Sequence, residues 1–127
     1  MLGLTLSRQT LLQCPKVVAV SLAGQVEIDN GLELEQYFDR VLQEDQPRHV
    51  LLDLGGLSFA GSVFFSSLLF WRQALARQGG RLVLYGLRPE IAGAIRTLAL
   101  DQVLTIRADQ PSALDALPGP DEKVGRD

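Results

Sequence analysis

Residues 50–69 restrict the fold of this chain more than any other stretch. Val50-Leu51-Leu52 is short and apolar, as a buried strand requires; Gly55-Gly56 reads as a turn, and Ser62 opens a helical stretch. That order brings one hydroxyl to the surface at the start of a helix. Residues 17–23 and 81–85 have the same apolar character, and helix-patterned segments separate all three runs. Strands that alternate with helices need crossover connections, hence parallel pairing.

Taken in order, residues 4–12 alternate loosely and suit an edge strand. Pro15 interrupts, residues 17–23 read as a buried strand with several β-branched side chains, and Gly24 ends it. The first two strands are close enough in sequence to pair as a hairpin, so the sheet is expected to be mixed. Asn30 and Glu33 have the spacing of a capping box. Leu34, Tyr37, Phe38, Val41 and Leu42 then share one helical face that closes before Pro47. A helix from Ser62 to about Gln78 stops at Gly79-Gly80. Pro89 suits the first turn of a helix with Ile91, Ile95 and Leu98 on its apolar side. A short strand over 103–106 and a short helix over 111–117 complete a domain spanning residues 1–117. Residues 118–127 are polar and are expected to form a flexible tail.

Composition excludes several classes. The chain has 127 residues, 46% hydrophobic and 21% charged, with a formal charge of −3. That suits one soluble domain without the basic surface a nucleic-acid partner needs. Cys14 is the only cysteine and His49 the only histidine. An intrachain disulfide is therefore excluded, and no structural zinc or other metal site or cofactor is expected. The N-terminal residues lack a basic start and a long apolar run, so no signal peptide is expected. No apolar stretch approaches the roughly 20 residues that span a bilayer. The expected location is the cytoplasm, without direct membrane insertion.

Leu51-Leu52-Asp53-Leu54 and Leu57-Ser58-Phe59, followed by Ser62 at a helix start, resemble the STAS domain of bacterial anti-sigma factor antagonists. In that family an apolar-apolar-Asp-Leu strand precedes a loop of the type apolar-Ser-Phe-x-Asp-Ser-Ser/Thr-Gly-Leu. Gly24-Gln25-Val26-Glu27 is similar to the family's Gly-Glu-apolar-Asp turn. The resemblance covers residues 4–117. It implies an α/β fold, with a mixed sheet whose helices pack mainly on one face. It also implies a role in transcription regulation through protein–protein interaction. An anti-sigma factor with serine kinase activity would bind the Ser62 loop and the following helix, and phosphorylation of Ser62 would release it. Three positions depart from the motif: Gly61 replaces the Asp, Val63 follows the serine, and Phe64 stands where Gly is usual. On this reading the Phe64 ring lies where a partner's backbone would approach. Ser62 also suits an ordinary helix N-cap.

The helix after Ser62 is apolar almost all round in its first turns. Such a helix is either buried on two sides or displays an interaction patch. Phe65, Leu68, Leu69 and Arg72 are assigned here to the sheet, which leaves Val63, Phe64, Phe70 and Trp71 for a partner. Covering by the N-terminal segment or the tail is the other reading. Trp71→Ala is accordingly expected to weaken partner binding or self-association more than folding. The candidate binding residues are Gly61, Ser62, Val63, Phe64, Phe70, Trp71, Glu27 and Asp29. His49 reads as a surface or strand-end residue, Asp53 as a cap or loop residue, and Ser66 and Ser67 as small packing residues. No nucleophile, base and oxyanion site come together, so an enzyme is not expected. Two alternatives share the fold: a STAS subunit bound to the ATPase of an ABC-type lipid or solute transport system, and a small-ligand-sensing STAS domain. A second copy of the chain, as in a homodimer, is a further candidate partner.

Overall fold

A computed structural model describes residues 3–118. The chain runs β1 (Leu4–Gln13), β2 (Lys16–Val26), α1 (Gly31–Arg40), a π turn (Val41–Asp45), β3 (His49–Ala60) and α2 (Ser62–Arg77). It continues through β4 (Leu82–Tyr85), α3 (Pro89–Thr97), a 3-10 turn (Leu100–Gln102), β5 (Thr105–Arg107) and α4 (Gln110–Asp115). The expected tail lies outside the described residues apart from Pro118.

The five strands form one sheet in the order β1-β2-β3-β4-β5. β1 and β2 pair antiparallel around the cis Cys14–Pro15 bond, and every other neighbouring pair is parallel. This is the mixed α/β sheet expected from the alternation. Strand side chains alternate between faces, so each buried strand feeds two cores. Val18, Val20, Leu22, Val50, Leu52 and Leu54 meet α1, α2 and α3 on one face. Val17, Ala19, Leu51, Val83 and Tyr85 meet Ala113 of α4 on the other. Three helices cover one face, and one six-residue helix partly covers the second.

β2 and β3 are both longer than expected. β2 continues through Gly24 to Val26, and β3 continues through Gly55-Gly56 to Ala60. Gly55-Gly56 is therefore an irregularity within a strand, where the register shifts between the Ser21–Asp53 and Ala23–Gly56 pairs. A Cβ on Gly56 would stand 2.9 Å from that of Ala23, so close approach of the two strands requires glycine there. The last strand, expected over 103–106, covers Thr105–Arg107, and Val103 is exposed. Leu98 lies past the end of α3 and is exposed, not on its buried side.

Asn30 and Glu33 do not form the capping box. The Asn30 side chain accepts from the Glu27 N–H at 2.8 Å and donates to the Gln25 carbonyl at 2.8 Å, and so folds the β2–α1 turn instead. A short amide side chain competes for nearby backbone in this way, which is why its position alone does not identify a cap.

The largest correction concerns α2. Phe64 is 0% exposed and Trp71 2%, whereas Leu69 and Arg72 face solvent. The buried stripe is Phe64, Leu68, Trp71 and Leu75, with Phe65 and Ser67 beside it. It is turned about one residue from the stripe expected through Leu69 and Arg72, or about 100° at 3.6 residues per turn. The tail lies outside the described residues, and among those residues the N-terminal strand does not supply the cover of the second apolar side. α1 does, with the Phe38 ring stacked on Trp71 at 4.3 Å and 13°. Aromatic pairs of this kind add about 1 kcal/mol beyond the area they bury.

His49, expected at the surface, is 1% exposed, and its Nδ1 accepts the Arg81 N–H at 3.0 Å. Burial, reinforced by the positive charges of Arg48 and Arg81, lowers its pKa from 6.5 to about 4.

Trp71→Ala removes a buried ring from between α1 and the sheet and is expected to cost about 3–5 kcal/mol in urea unfolding. Phe70→Ala, one residue away but exposed, is expected to change stability by less than about 0.5 kcal/mol. For His49, the folded pKa lies below the unfolded value, so the unfolded chain binds the proton more readily. The stabilisation from a neutral His49 is full above pH 6.5 and is lost as pH falls towards 4. Its size is on the order of 2 kcal/mol after solvent screening. Unfolding midpoints measured across that window should fall less steeply for His49→Gln than for the wild type.

Candidate functional site

The site forms where β2, β3, α1 and α2 end or begin together. Asp53, the last residue of β3 before the irregularity, accepts the Gly55 N–H at 3.0 Å through Oδ1 and the Ser21 hydroxyl at 3.4 Å through Oδ2. The Gly55 carbonyl accepts Arg88 Nε at 3.0 Å. These bonds hold both sides of the bend. An extra residue in one strand bends and twists it, which re-aims whatever follows. Here the strand is carried on to Ala60, still paired with the end of β2.

Gly24 has φ +108° and the Gly3 carbonyl against its α-carbon, where a Cβ would meet that oxygen at 1.9 Å. Its own carbonyl accepts the Ser58 hydroxyl at 3.0 Å. Residues 24–26, expected as a turn, are thus strand, and the turn itself begins at Glu27. The Gly61 N–H donates to the Val26 carbonyl at 2.9 Å, which locks the start of α2 to the end of β2. A Cβ on Gly31 would lie 3.4 Å from both methyls of Val63, so the first turns of α1 and α2 touch.

Ser62 is the first residue of α2, as expected, and Gly61, extended at φ −81° and ψ 179°, takes the N-cap position. Ser62 is therefore not the cap. It is exposed, and among the described residues its hydroxyl has no hydrogen-bond partner. Amides of a helix's first turn have no acceptor within their own helix and carry the positive end of its dipole. Here the Phe64 N–H is taken by the Gly61 carbonyl at 3.1 Å, which leaves the Ser62 and Val63 N–H groups beside the hydroxyl.

Of the other candidates, Glu27 and Asp29 are exposed on the β2–α1 turn beside Ser62, and Gly61 and Val63 are half-buried. Phe70 is 63% exposed. Phe64 and Trp71 are withdrawn from the binding surface because both are core residues. Phe64 packs edge-on against Phe65, so its ring leaves a partner's approach to Ser62 unobstructed. Ser67 is buried and near Glu35 Oε2 at 3.4 Å, a packing position as expected, whereas Ser66 is exposed.

Four residues outside the expected set complete the surface. Ile28 is 90% exposed, Leu32 65%, Phe59 49% and Leu69 39%. Ile28 and Leu32 come from the turn and start of α1, Phe59 from the end of β3, and Leu69 from α2. Ser62, Ser66, Leu69 and Phe70 follow helical spacing down the open side of α2. Large apolar side chains gathered at the rim of one site mark an interaction surface more than scattered ones do. The signal that would have revealed the phase was Leu75. Counting back from it by four, three and four residues gives Trp71, Leu68 and Phe64 as the buried stripe and leaves Leu69 and Phe70 outside.

Among the described residues no three His, Cys, Asp or Glu side chains gather as metal ligands. None of the described helices is long and apolar enough to cross a membrane.

The arrangement has close counterparts in known structures. An anti-sigma factor antagonist from Mycobacterium paratuberculosis superposes with a TM-score of 0.74 at 23% identity, over 89% of this chain and 94% of that one. The anti-sigma factor antagonist SpoIIAA in its unphosphorylated form gives 0.63 at 14%, over 86% and 96%. The Bacillus cell fate determinant SpoIIAA in the phosphorylated form gives 0.62 at 16%, over 86% and 97%. At these identities the likeness is one of fold. No curated protein sequence matches the chain. Residues 11–106 match the family model described as Mlab, STAS domain, and the chain belongs to the STAS domain family.

Proposed function

We propose that the chain is a non-enzymatic regulator of the anti-sigma factor antagonist type, in which the surface around Ser62 binds an anti-sigma factor with serine kinase activity. The observation that carries this reading is the exposed, unengaged Ser62 hydroxyl at the first position of α2, on a helix side that also carries exposed Leu69 and Phe70, with Ile28, Leu32 and Phe59 exposed on the segments that meet the start of α2. The apolar side chains supply area for a protein partner, and the serine supplies a switch within it.

The switch works through charge. A phosphate on Ser62 adds about −1.5 to −2 charge beside the free amides of α2, which the helix N-terminus tolerates without loss of fold. Burying that charge against an apolar partner surface without a matching cation is costly, so the complex separates. Gly61 in place of the family's Asp lowers the negative charge next to Ser62 before modification, while Glu27 and Asp29 keep the rim acidic. The similarity in fold to SpoIIAA, known in phosphorylated and unphosphorylated forms, supports the same reading.

A second reading has one observation in its favour. The matching family is described as Mlab, STAS domain, and the same exposed side of α2 would then dock on the ATPase of an ABC-type transport system. In that case Ser62 is a contact without a switch.

Affinity capture from lysate of the source cells, with wild-type, Ser62→Ala, Ser62→Asp and Phe70→Ser baits, separates the two. The first reading predicts that wild type and Ser62→Ala retain an anti-sigma factor kinase. Ser62→Asp and Phe70→Ser should lose at least tenfold of it, with unchanged melting temperatures. Equal retention of that kinase by wild type and Ser62→Asp contradicts the switch. A transport ATPase held by wild type and Ser62→Asp alike, and lost by Phe70→Ser, establishes the second reading.

A further inference from the structure

At the opposite end of the sheet from Ser62, a pocket of about 290 Å³ opens between the start of β3 and the end of α4. Leu12, Pro15, Val17, Leu114 and Leu117 give it an apolar lining, with Asp115 at its edge and His49 in its wall. Its size is at the lower limit of ligand pockets, about 300 Å³. That is room for roughly ten water-sized groups at about 30 Å³ each.

His49 makes this more than an apolar hollow. The ring is 1% exposed, and its Nδ1 accepts the Arg81 N–H, so the single proton of the neutral ring sits on Nε2. No described residue accepts that proton, yet Nε2 is not among atoms sealed from solvent-accessible space. His49 is one of the residues that line the pocket. In the free chain that hydrogen meets water, and an acceptor bound in the pocket would take the water's place.

We propose that the pocket binds a small uncharged molecule with an aliphatic or aromatic body and one hydrogen-bond acceptor, such as a ketone, ester or alcohol, whose oxygen takes the His49 Nε2 hydrogen. A carboxylate fits poorly, since a neutral His49 does not balance its charge and Asp115 repels it. An amine presents donors to a donor. Residues 119–127 are an unsuitable occupant by composition, with five charged side chains and Val124 as their single aliphatic one. The pocket is separate from the Ser62 surface, and the proposal does not rest on the partner reading.

The test is a titration of the ¹⁵N-labelled full chain with 2-octanone, read on the His49 Nε2–H resonance, with octanoate as the charged comparison. A saturable shift of that resonance is expected, with octanoate binding at least tenfold more weakly. Leu114→Trp, which fills the pocket, and Leu12→Glu, which charges its exposed rim without touching the core, should each weaken the ketone at least tenfold. Ser62→Asp should leave it unchanged. Shifts that do not saturate, octanoate binding as tightly as the ketone, or full affinity in both pocket variants would overturn the proposal.

Discussion

The bend of β3 at Gly55-Gly56 is the constraint on which the rest of the surface depends. A strand running straight on from Leu54 would not keep its pairing with the end of β2 after the register shift. Asp53 prevents that loss by accepting the Gly55 N–H on one side and the Ser21 hydroxyl on the other, while Arg88 holds the Gly55 carbonyl. Beyond the bend, Ala60 pairs with Val26, and Gly61 bonds to the Val26 carbonyl. The first turn of α2 is thereby fixed against the first turn of α1. Ser62 is exposed because a rigid sheet end presents it, not because it lies on a loose loop.

Packing then decides what surrounds it. The Phe38–Trp71 stack commits one side of α2 to α1, and Phe64, Leu68 and Leu75 commit the adjacent side to the sheet. What remains outside is a strip carrying Ser62, Ser66, Leu69 and Phe70. Ile28, Leu32 and Phe59 are exposed as well, on the turn, the helix start and the strand end that meet the first turn of α2. The stability of the domain and the composition of its surface are set by the same choice of helix phase.

Much of this was legible in the residues. Continuous apolar runs identified the buried strands because a strand covered on both faces has no polar alternation to obscure. The strand–turn–serine–helix order located Ser62 correctly at the first position of α2. The phase of α2 was not legible from its first turns, where apolar residues occupy every direction; only Leu75, past the ambiguous region, separates the two choices. The Gly55-Gly56 pair reads as a turn because glycines usually end strands, and the tertiary pairing that carries β3 past them is invisible locally. His49 shows the same limit. A polar residue at a strand start suggests exposure, and its burial depends on an acceptor role towards Arg81, more than thirty residues away.

The central claim is that the surface bounded by Ser62 and Phe70 is where the partner sits. Amide hydrogen exchange on the purified complex tests it most directly, with the free chain as reference. The account predicts slowed exchange upon binding in residues 27–32 and 59–70, with β1 and α4 unchanged. Protection confined to β1 or α4, with residues 59–70 exchanging as in the free chain, would contradict it.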